Sequence, residues 1–366
     1  MRNDYSKEVF LLKITDIKFK IATFKFVEPF KIAFAVMEGY DTLVVKIETD
    51  EGIVGYGEAA PMGFVTGDNL ELAMAIGKEY REMLIGKNPL AIGHIHAVMD
   101  SKYLHNTSIK AAIDIACYDI AAKKMGVPLY QFLGGDYPVV ESDVTIGIGT
   151  PEHMAKKSKE WVEKGFNILK IKLGEDIETD LKRMKLIREA VGNDVTLRID
   201  ANQGWSVKDA IRISKELENI GVDLIEQPIV HWDLEGLAEI KRAVNIPIAA
   251  DESCQLPVDA SKLARLRAVD GMNIKLMKCG GIYNAIKINA IAEAANIFCM
   301  IGCMGESVIA NAAGMHVAAA LANIKKVDLD VTFYTKSDWI LGGFTREGGV
   351  CTLLDQPGIG VSVEGF

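Results

Sequence analysis

Between Ile168 and Lys275 short apolar runs recur, and each closes on polar residues: ILKIK ending at Lys172, LRIDAN through Asp200 and Asn202, DLIEQP through Glu226, IAADES through Asp251, and MNIK ending at Lys275. The polar ends at 172, 200, 226, 251 and 275 lie 28, 26, 25 and 24 residues apart. A strand, a helix and their loops need about 30 residues, so each interval predicts one βα unit. Between the runs, apolar residues spaced three to four apart, as in Leu181-Met184-Ile187-Ala190 and Ala210-Ile213-Leu217-Ile220, predict amphipathic helices. Strands are expected near 141–148, 167–172, 196–200, 223–226, 247–251, 271–275, 297–301 and 326–330. Alternation of this kind implies a parallel sheet covered by helices, an α/β fold. A closed (β/α) barrel is preferred to an open doubly wound sheet, because Gly302–Gly305 is a poor match to a phosphate-binding glycine fingerprint.

The chain before this region reads differently. Lys13–Phe26 and Leu43–Ile47 predict strands, and Thr49-Asp50-Glu51-Gly52 a turn into a third at Ile53–Glu58. Val27–Tyr40 is too long for a tight hairpin and is expected to be a functional loop. Helices are predicted near Leu70–Leu84, Ile92–Lys102 and Ser108–Met125. Strands followed by helices make an α+β unit. The expected division is an α+β domain over 1–136 and a barrel over 137–349, with 350–366 returning to the first domain.

Composition narrows the function. A net charge of −9 with no basic stripe argues against nucleic acid or an anionic membrane surface as partner. No apolar run approaches the length of a membrane span, and the N-terminus lacks the core of a signal peptide. Six scattered cysteines, mostly in apolar runs, suit reduced thiols in a cytoplasm. Cys299 and Cys303 have no neighbouring ligand pair and make no zinc site. His94 and His96 have no evident acidic partner and read as surface or core residues.

The chemistry collects at the strand ends, where a (β/α) barrel keeps its active site. Side chains alternate along a strand, so Lys170 and Lys172 share a face, as do Asp200 and Asn202, and Asp328 and Asp330. Counting strands sets the lysines on the second, Asp200 on the third, Glu226 on the fourth, Asp251 on the fifth and Lys275 on the sixth. The second and sixth strands of an eight-stranded ring are opposed. Three buried carboxylates cannot all ionise without a cation, and an all-oxygen set favours Mg²⁺ over zinc. Each acid could instead cap the helix that follows it, a weaker reading for three consecutive strand ends flanked by lysines. Burial and a positive neighbour are expected to lower the lysine pKa values. A base on either face of a metal-held carboxylate suits proton removal from one side of Cα and return to the other.

This set resembles the enolase superfamily, and within it the muconate lactonizing subgroup. The resemblance rests on Lys170-Ile171-Lys172, on Asp200, Glu226 and Asp251, and on Lys275 in NIKLMKCGG, with Lys278 a less well-spaced alternative. It implies a modified TIM barrel, (β/α)₇β, under an N-terminal capping domain, with Mg²⁺ on the three acids. It implies catalysis by Lys172 and Lys275, with Lys170 tuning Lys172. Val327-Asp328-Leu329-Asp330 resembles the Asp-x-Asp pair with which dipeptide epimerases bind the substrate ammonium. The implied activity is epimerisation of L,L-dipeptides at the C-terminal residue. Relatives acting on Ala-Glu carry an arginine in the first capping loop where this chain has Ala35, so an apolar side chain is expected at the epimerised residue. Phe34, Met62 and Phe64 are candidate pocket walls. Asn202 is a further candidate contact, and Glu306 either touches substrate or serves its own loop.

Other members of the subgroup are muconate cycloisomerase, o-succinylbenzoate synthase and N-succinylamino acid racemase, none of which needs an anionic pair for an ammonium. A mandelate-racemase type is disfavoured, since no His ends the sixth or seventh strand and His316 falls in a predicted helix. A non-catalytic metal-binding barrel would gain nothing from two buried lysines. Homo-oligomers are common among such barrels, and a homo-oligomer is compatible with this sequence, in which no stretch marks an interface.

Overall fold

The computed structural model describes residues 11–32, 35–335 and 337–366. The N-terminal part opens with an antiparallel meander of β1 (Ile14–Ile32), β2 (Ala35–Thr49) and β3 (Val54–Ala59). β1 and β2 form one long ladder, from Ile14 against Thr49 to Ile32 against Ala35, with its register shifted between Lys25 and Phe30. Most of the segment expected to be a loop, Val27–Tyr40, is therefore strand. Glu28-Pro29 breaks the alternation in sequence, but aromatic contacts hold the two arms together. Phe26 lies 5.9 Å from Phe30 and 5.4 Å from Tyr40, ring centre to ring centre.

Three helices cover the meander: α1 (Leu70–Leu84), α2 (Ile92–Lys102) and α3 (Thr107–Met125). Along β3, Gly55 and Gly57 share a face, and each meets an alanine of α3, Ala116 and Ala112 respectively. A period of two on the strand matches a period of four on the helix. A Cβ on Gly57 would stand 1.8 Å from the Ala112 carbonyl oxygen. Helix and strand backbones touch directly here, and only glycine permits it.

A short helix α4 (Leu129–Phe132) and β4 (Val139–Glu141) lead into the barrel. Its strands are β5 (Val144–Ile146), β6 (Ile168–Lys172), β7 (Thr196–Asp200), β8 (Val222–Glu226), β9 (Ile248–Ala250), β10 (Gly271–Lys275), β11 (Phe298–Gly302) and β12 (Ile324–Asp328), neighbours in chain order. All eight fall where the spacing predicts. Asp143 N–H donates to Val327 O at 3.0 Å, and Leu329 N–H to Ser142 Oγ at 2.9 Å, across the seam between first and last strands.

The helices follow as α5 (Pro151–Glu163), α6 (Ile177–Val191), α7 (Val207–Ile220), α8 (Leu234–Ala243), α9 (Pro257–Leu266), α10 (Leu276–Cys279), α11 (Ile282–Ala294) and α12 (Val308–Ala320). Residues such as Leu169, Ile171, Leu197, Ile199 and Ile274 pack with Met184, Ile187, Ile213 and Leu217 of the helices in the main core. Their alternates, Lys170, Arg198, Asp200 and Asn273, are left to the barrel interior.

After a single 3₁₀ turn at Val331–Phe333 come β13 (Ile340–Gly342), β14 (Phe344–Glu347), β15 (Val350–Leu353) and β16 (Val361–Val363). β15 pairs with β4 and with β14, and β13 pairs with β16. Beyond β15 the chain meets the N-terminal part. Gly358 N–H donates to Val127 O at 3.0 Å, and Lys20 Nζ donates to Gly365 O at 2.9 Å.

The two parts are also joined by Glu58 of β3. Its carboxylate accepts from Ser307 N–H at 2.9 Å, Ser307 Oγ–H at 2.7 Å and Ala310 N–H at 3.2 Å, at the start of α12. Burial pushes the Glu58 carboxyl up, against these bonds. Among the described residues no helix is long and apolar enough to cross a membrane.

The contact between β3 and α3 makes a prediction. Gly57→Ala forces the two backbones apart and costs about 1–3 kcal/mol or more, read as a lower urea midpoint. A midpoint equal to that of the unaltered protein would show that the contact yields freely.

Candidate active site

The polar ends of β6 to β10 converge. Lys172 Nζ lies 2.6 Å from Asp200 Oδ2, and Lys275 Nζ lies 2.8 Å from Asp251 Oδ2. Lys170 Nζ reaches Asp328 Oδ2 at 2.6 Å, Glu226 Oε2 at 2.7 Å and Asp200 Oδ2 at 3.1 Å. Its contact with Glu226 lacks the angles of a hydrogen bond, so Glu226 Oε2 has no hydrogen-bond donor among the described residues. β6 and β10 are second and sixth in the ring, which sets Lys172 and Lys275 on opposite sides with the three acids on the arc between.

The acids do not cap helices. Ser206 caps α7 through Asp209 N–H, and Asp233 caps α8 through Gly236 N–H, while α9 opens with Pro257. Asp200, Glu226 and Asp251 are buried, and one carboxylate oxygen of each lies within 4.8 Å of the others. An all-oxygen set of this size, with one buried oxygen lacking a hydrogen-bond donor, fits a hard divalent cation.

Charge in the cluster is unevenly divided. Burial works to raise the Asp200 carboxyl, but Lys172 and Lys170 outweigh it and hold the group at about 2. Asp251 is also held well below the usual range, by Lys275 and Lys278 against burial. Burial and the neighbouring Asp200 push Glu226 up to about 8. Lys170 and Lys275 depart from the expectation of a lowered pKa. Burial lowers Lys170, yet Asp328, Glu226 and Asp200 raise it well above its ordinary value. Lys275 is raised in the same way, chiefly by Asp251. Carboxylates at contact distance overcome desolvation, whereas the sequence argument weighed only burial and the positive neighbour.

Lys172, Asp251 and Lys275 of the cluster reach a cavity of about 790 Å³ of space between atoms, lined also by Asn202, Glu252, Asp328 and Asp330. The N-terminal part supplies its apolar wall: Phe26, Phe30, Met37 and, from the loop after β3, Met62 and Phe64. Phe64 is half exposed. Phe34 lies outside the described residues. Ala35 pairs with Ile32, the last pair of the β1–β2 ladder.

Two placements differ in detail from the expected strand geometry. β12 ends at Asp328, so Asp330 opens the 3₁₀ turn, yet both line the cavity. Asp330 Oδ2 accepts from Thr145 N–H at 2.7 Å and from Tyr334 O–H at 3.0 Å. Asn202 has a left-handed backbone, φ 41°, beyond the end of β7. Glu306 serves its own loop: its Oε1 accepts from Met304 N–H at 2.9 Å, and burial pushes it up to about 8.

Sequence reasoning missed Glu252, which burial and the charges of Asp251 and Asp200 push up to about 7. It also missed Asp143, paired with Arg198 at 2.8 Å inside the barrel. Its position one residue after Glu141–Ser142, where the first strand begins, is the only sequence signal for it. Lys278 is not a rival of Lys275. It is fully buried behind Asp251, outside the cavity lining. His96 is not without a partner either; its Nε2 lies 2.7 Å from Asp114 Oδ2.

Two family models match the chain: "Mandelate racemase / muconate lactonizing enzyme, N-terminal domain" over residues 16–134, and "Enolase C-terminal domain-like" over residues 153–365. The chain is 46% identical to a hydrophobic dipeptide epimerase of Enterococcus faecalis, over 96% of this chain and 100% of that one. It is 44% identical to an L-Ala-D/L-Glu epimerase of Clostridium acetobutylicum, over 91% and 94%. The crystal structure of the Enterococcus faecalis dipeptide epimerase complexed with Mg and the dipeptide L-Leu-L-Tyr superposes with a TM-score of 0.94, covering 96% of this chain and 99% of that one. Matched along both of its parts, the chain belongs to the mandelate racemase / muconate lactonizing enzyme family of the enolase superfamily.

Proposed function

We propose that this protein is a Mg²⁺-dependent dipeptide epimerase, inverting the C-terminal residue of L,L-dipeptides with apolar side chains. One observation carries the reading. Two opposed lysines flank an arc of three carboxylates, and an Asp pair faces that arc across a cavity roofed by apolar side chains.

Asp200, Glu226 and Asp251 would hold Mg²⁺, whose part is to offset the negative charge that moves from Cα onto the substrate carboxylate oxygens. Asp328 and Asp330 take the substrate ammonium at the other end. With both ends fixed, Cα stands between Lys172 and Lys275. One amine removes the Cα proton and the other, as an ammonium, returns a proton to the opposite face. Lys170, bridging Asp200, Glu226 and Asp328, keeps the acid cluster compensated and supports Lys172. Asn202 borders the site beside the acids. Phe26, Phe30, Met37, Met62 and Phe64 offer no charge to a polar substrate side chain, so an apolar one is favoured. Similar proteins, among them the hydrophobic dipeptide epimerase and the dipeptide epimerase complexed with Mg and L-Leu-L-Tyr, support this class of substrate. Six thiols, none in a disulfide, fit a cytoplasmic setting. The domain boundaries near residues 136 and 349 are part of the same proposal, with 350–366 closing back from the barrel.

The two-base scheme predicts that Lys172→Ala and Lys275→Ala each lower epimerisation at least about 10²-fold. Each retains Cα deuterium exchange in heavy water with only one of the L,L and L,D isomers, and the two variants retain opposite ones. Exchange of both isomers by either variant would refute the scheme. The Asp pair predicts that N-acetylation of the substrate and Asp328→Asn each lower kcat/KM by about 30-fold or more. Equal turnover of free and acetylated dipeptides would redirect the assignment within the family.

A further inference from the structure

Each acid of the triad has one oxygen turned toward the catalytic lysines and the other held from behind. Asp200 Oδ1 accepts from Asn202 N–H at 2.9 Å. Glu226 Oε1 accepts from Asn273 Nδ2–H at 2.6 Å. Asp251 Oδ1 accepts from Lys278 Nζ–H at 2.5 Å. The opposite oxygens face Lys172, Lys170 and Lys275. The three holding groups come from a backbone, a strand and a one-turn helix, yet each does the same thing to its acid.

Their surroundings fix them in place. Lys278 is 1% exposed, and its three protons meet four acceptors: Asp251 Oδ1 and O, Asn273 O at 3.0 Å and Cys254 O at 3.1 Å. Asn273 lies two residues before Lys275 on β10 and is fully buried. Its seat is kept open by Gly302 of β11, where a Cβ would stand 2.9 Å from Asn273 Oδ1 and 3.0 Å from its Nδ2. A donor at this position fixes the rotation of each carboxylate and occupies one lone pair of its rear oxygen, so each acid presents chiefly its other oxygen to the site.

Ligand count is what separates the two common hard divalent cations. Mg²⁺ requires six ligands in a near-ideal octahedron and keeps waters, whereas Ca²⁺ takes six to eight and readily uses both oxygens of a carboxylate. We propose that Asn273 and Lys278 are the residues that set cation preference, by denying Glu226 and Asp251 a bidentate grip and so favouring Mg²⁺ over Ca²⁺. The inference rests on the metal reading of the triad proposed above. Both residues are positioning residues that act through the acids they hold.

The test uses the full chain freed of metal by a chelator, with Mg²⁺ and Ca²⁺ affinities measured by titration calorimetry. Asn273→Ala and Lys278→Met are expected to weaken Mg²⁺ about 10- to 100-fold. Ca²⁺ is expected to weaken less, so that the Ca²⁺ to Mg²⁺ affinity ratio rises about 10-fold. A general loosening of the barrel would weaken both cations alike, and an unchanged ratio overturns the proposal. Because Lys278→Met removes a buried charge, a second measurement uses the unaltered protein. A crystal grown with Mg²⁺ is expected to show one oxygen from each acid on the cation, with the bonds to Asn273 and Lys278 intact. Both oxygens of Glu226 or Asp251 on the cation would overturn this inference alone. No cation on the triad would overturn the metal reading with it.

Discussion

One ammonium group holds the barrel mouth together electrically. Lys170 Nζ stands 2.6 to 3.1 Å from carboxylates on three strands, β7, β8 and β12. Bringing that many acids out of water is costly unless positive charge comes with them. Lys170 is that charge, placed at the centre of the ring and not at its rim. Lys172, Lys275 and Lys278 complete the balance from the sides and from behind. Without them the strand ends would carry like charges in contact, and the geometry on which proton transfer depends would not persist.

Much of this was legible in the sequence because two periods are strict. The βα interval located the strands, and the alternation of side chains placed Lys170 with Lys172 on one face. The polar ends then fell together by the geometry of a ring. What was illegible depended on partners distant in the chain. Nothing near Asn273 or Lys278 in sequence says which acid each will hold, since Asn273 of β10 meets Glu226 two strands away on β8, and Lys278 of α10 meets Asp251 just beyond β9. Lys278 resembled a second candidate base because spacing along the chain cannot tell a strand end from the one-turn helix α10 that follows it. The raised pKa of Lys170 was missed for a related reason. Burial can be inferred from pattern, whereas contact distances to carboxylates cannot.

The cavity divides its work between the two parts of the chain. Charged groups stand on strand ends, which the ring fixes rigidly. The apolar wall stands on a hairpin and on the loop after β3, where side chains can change without disturbing the ladder of the barrel. Selectivity for a substrate side chain and competence in proton transfer are thus carried by separate elements.

Glu58 limits how far that separation goes. Its carboxylate is spent on the first turn of α12, a barrel helix that has no acidic residue of its own there. The roof is therefore not an interchangeable module. Grafting the N-terminal half of a distant relative onto this barrel would succeed only if the graft delivered an acid to the same helix start, so the halves are bound to vary in concert at that seam even while their cavity-facing residues drift independently.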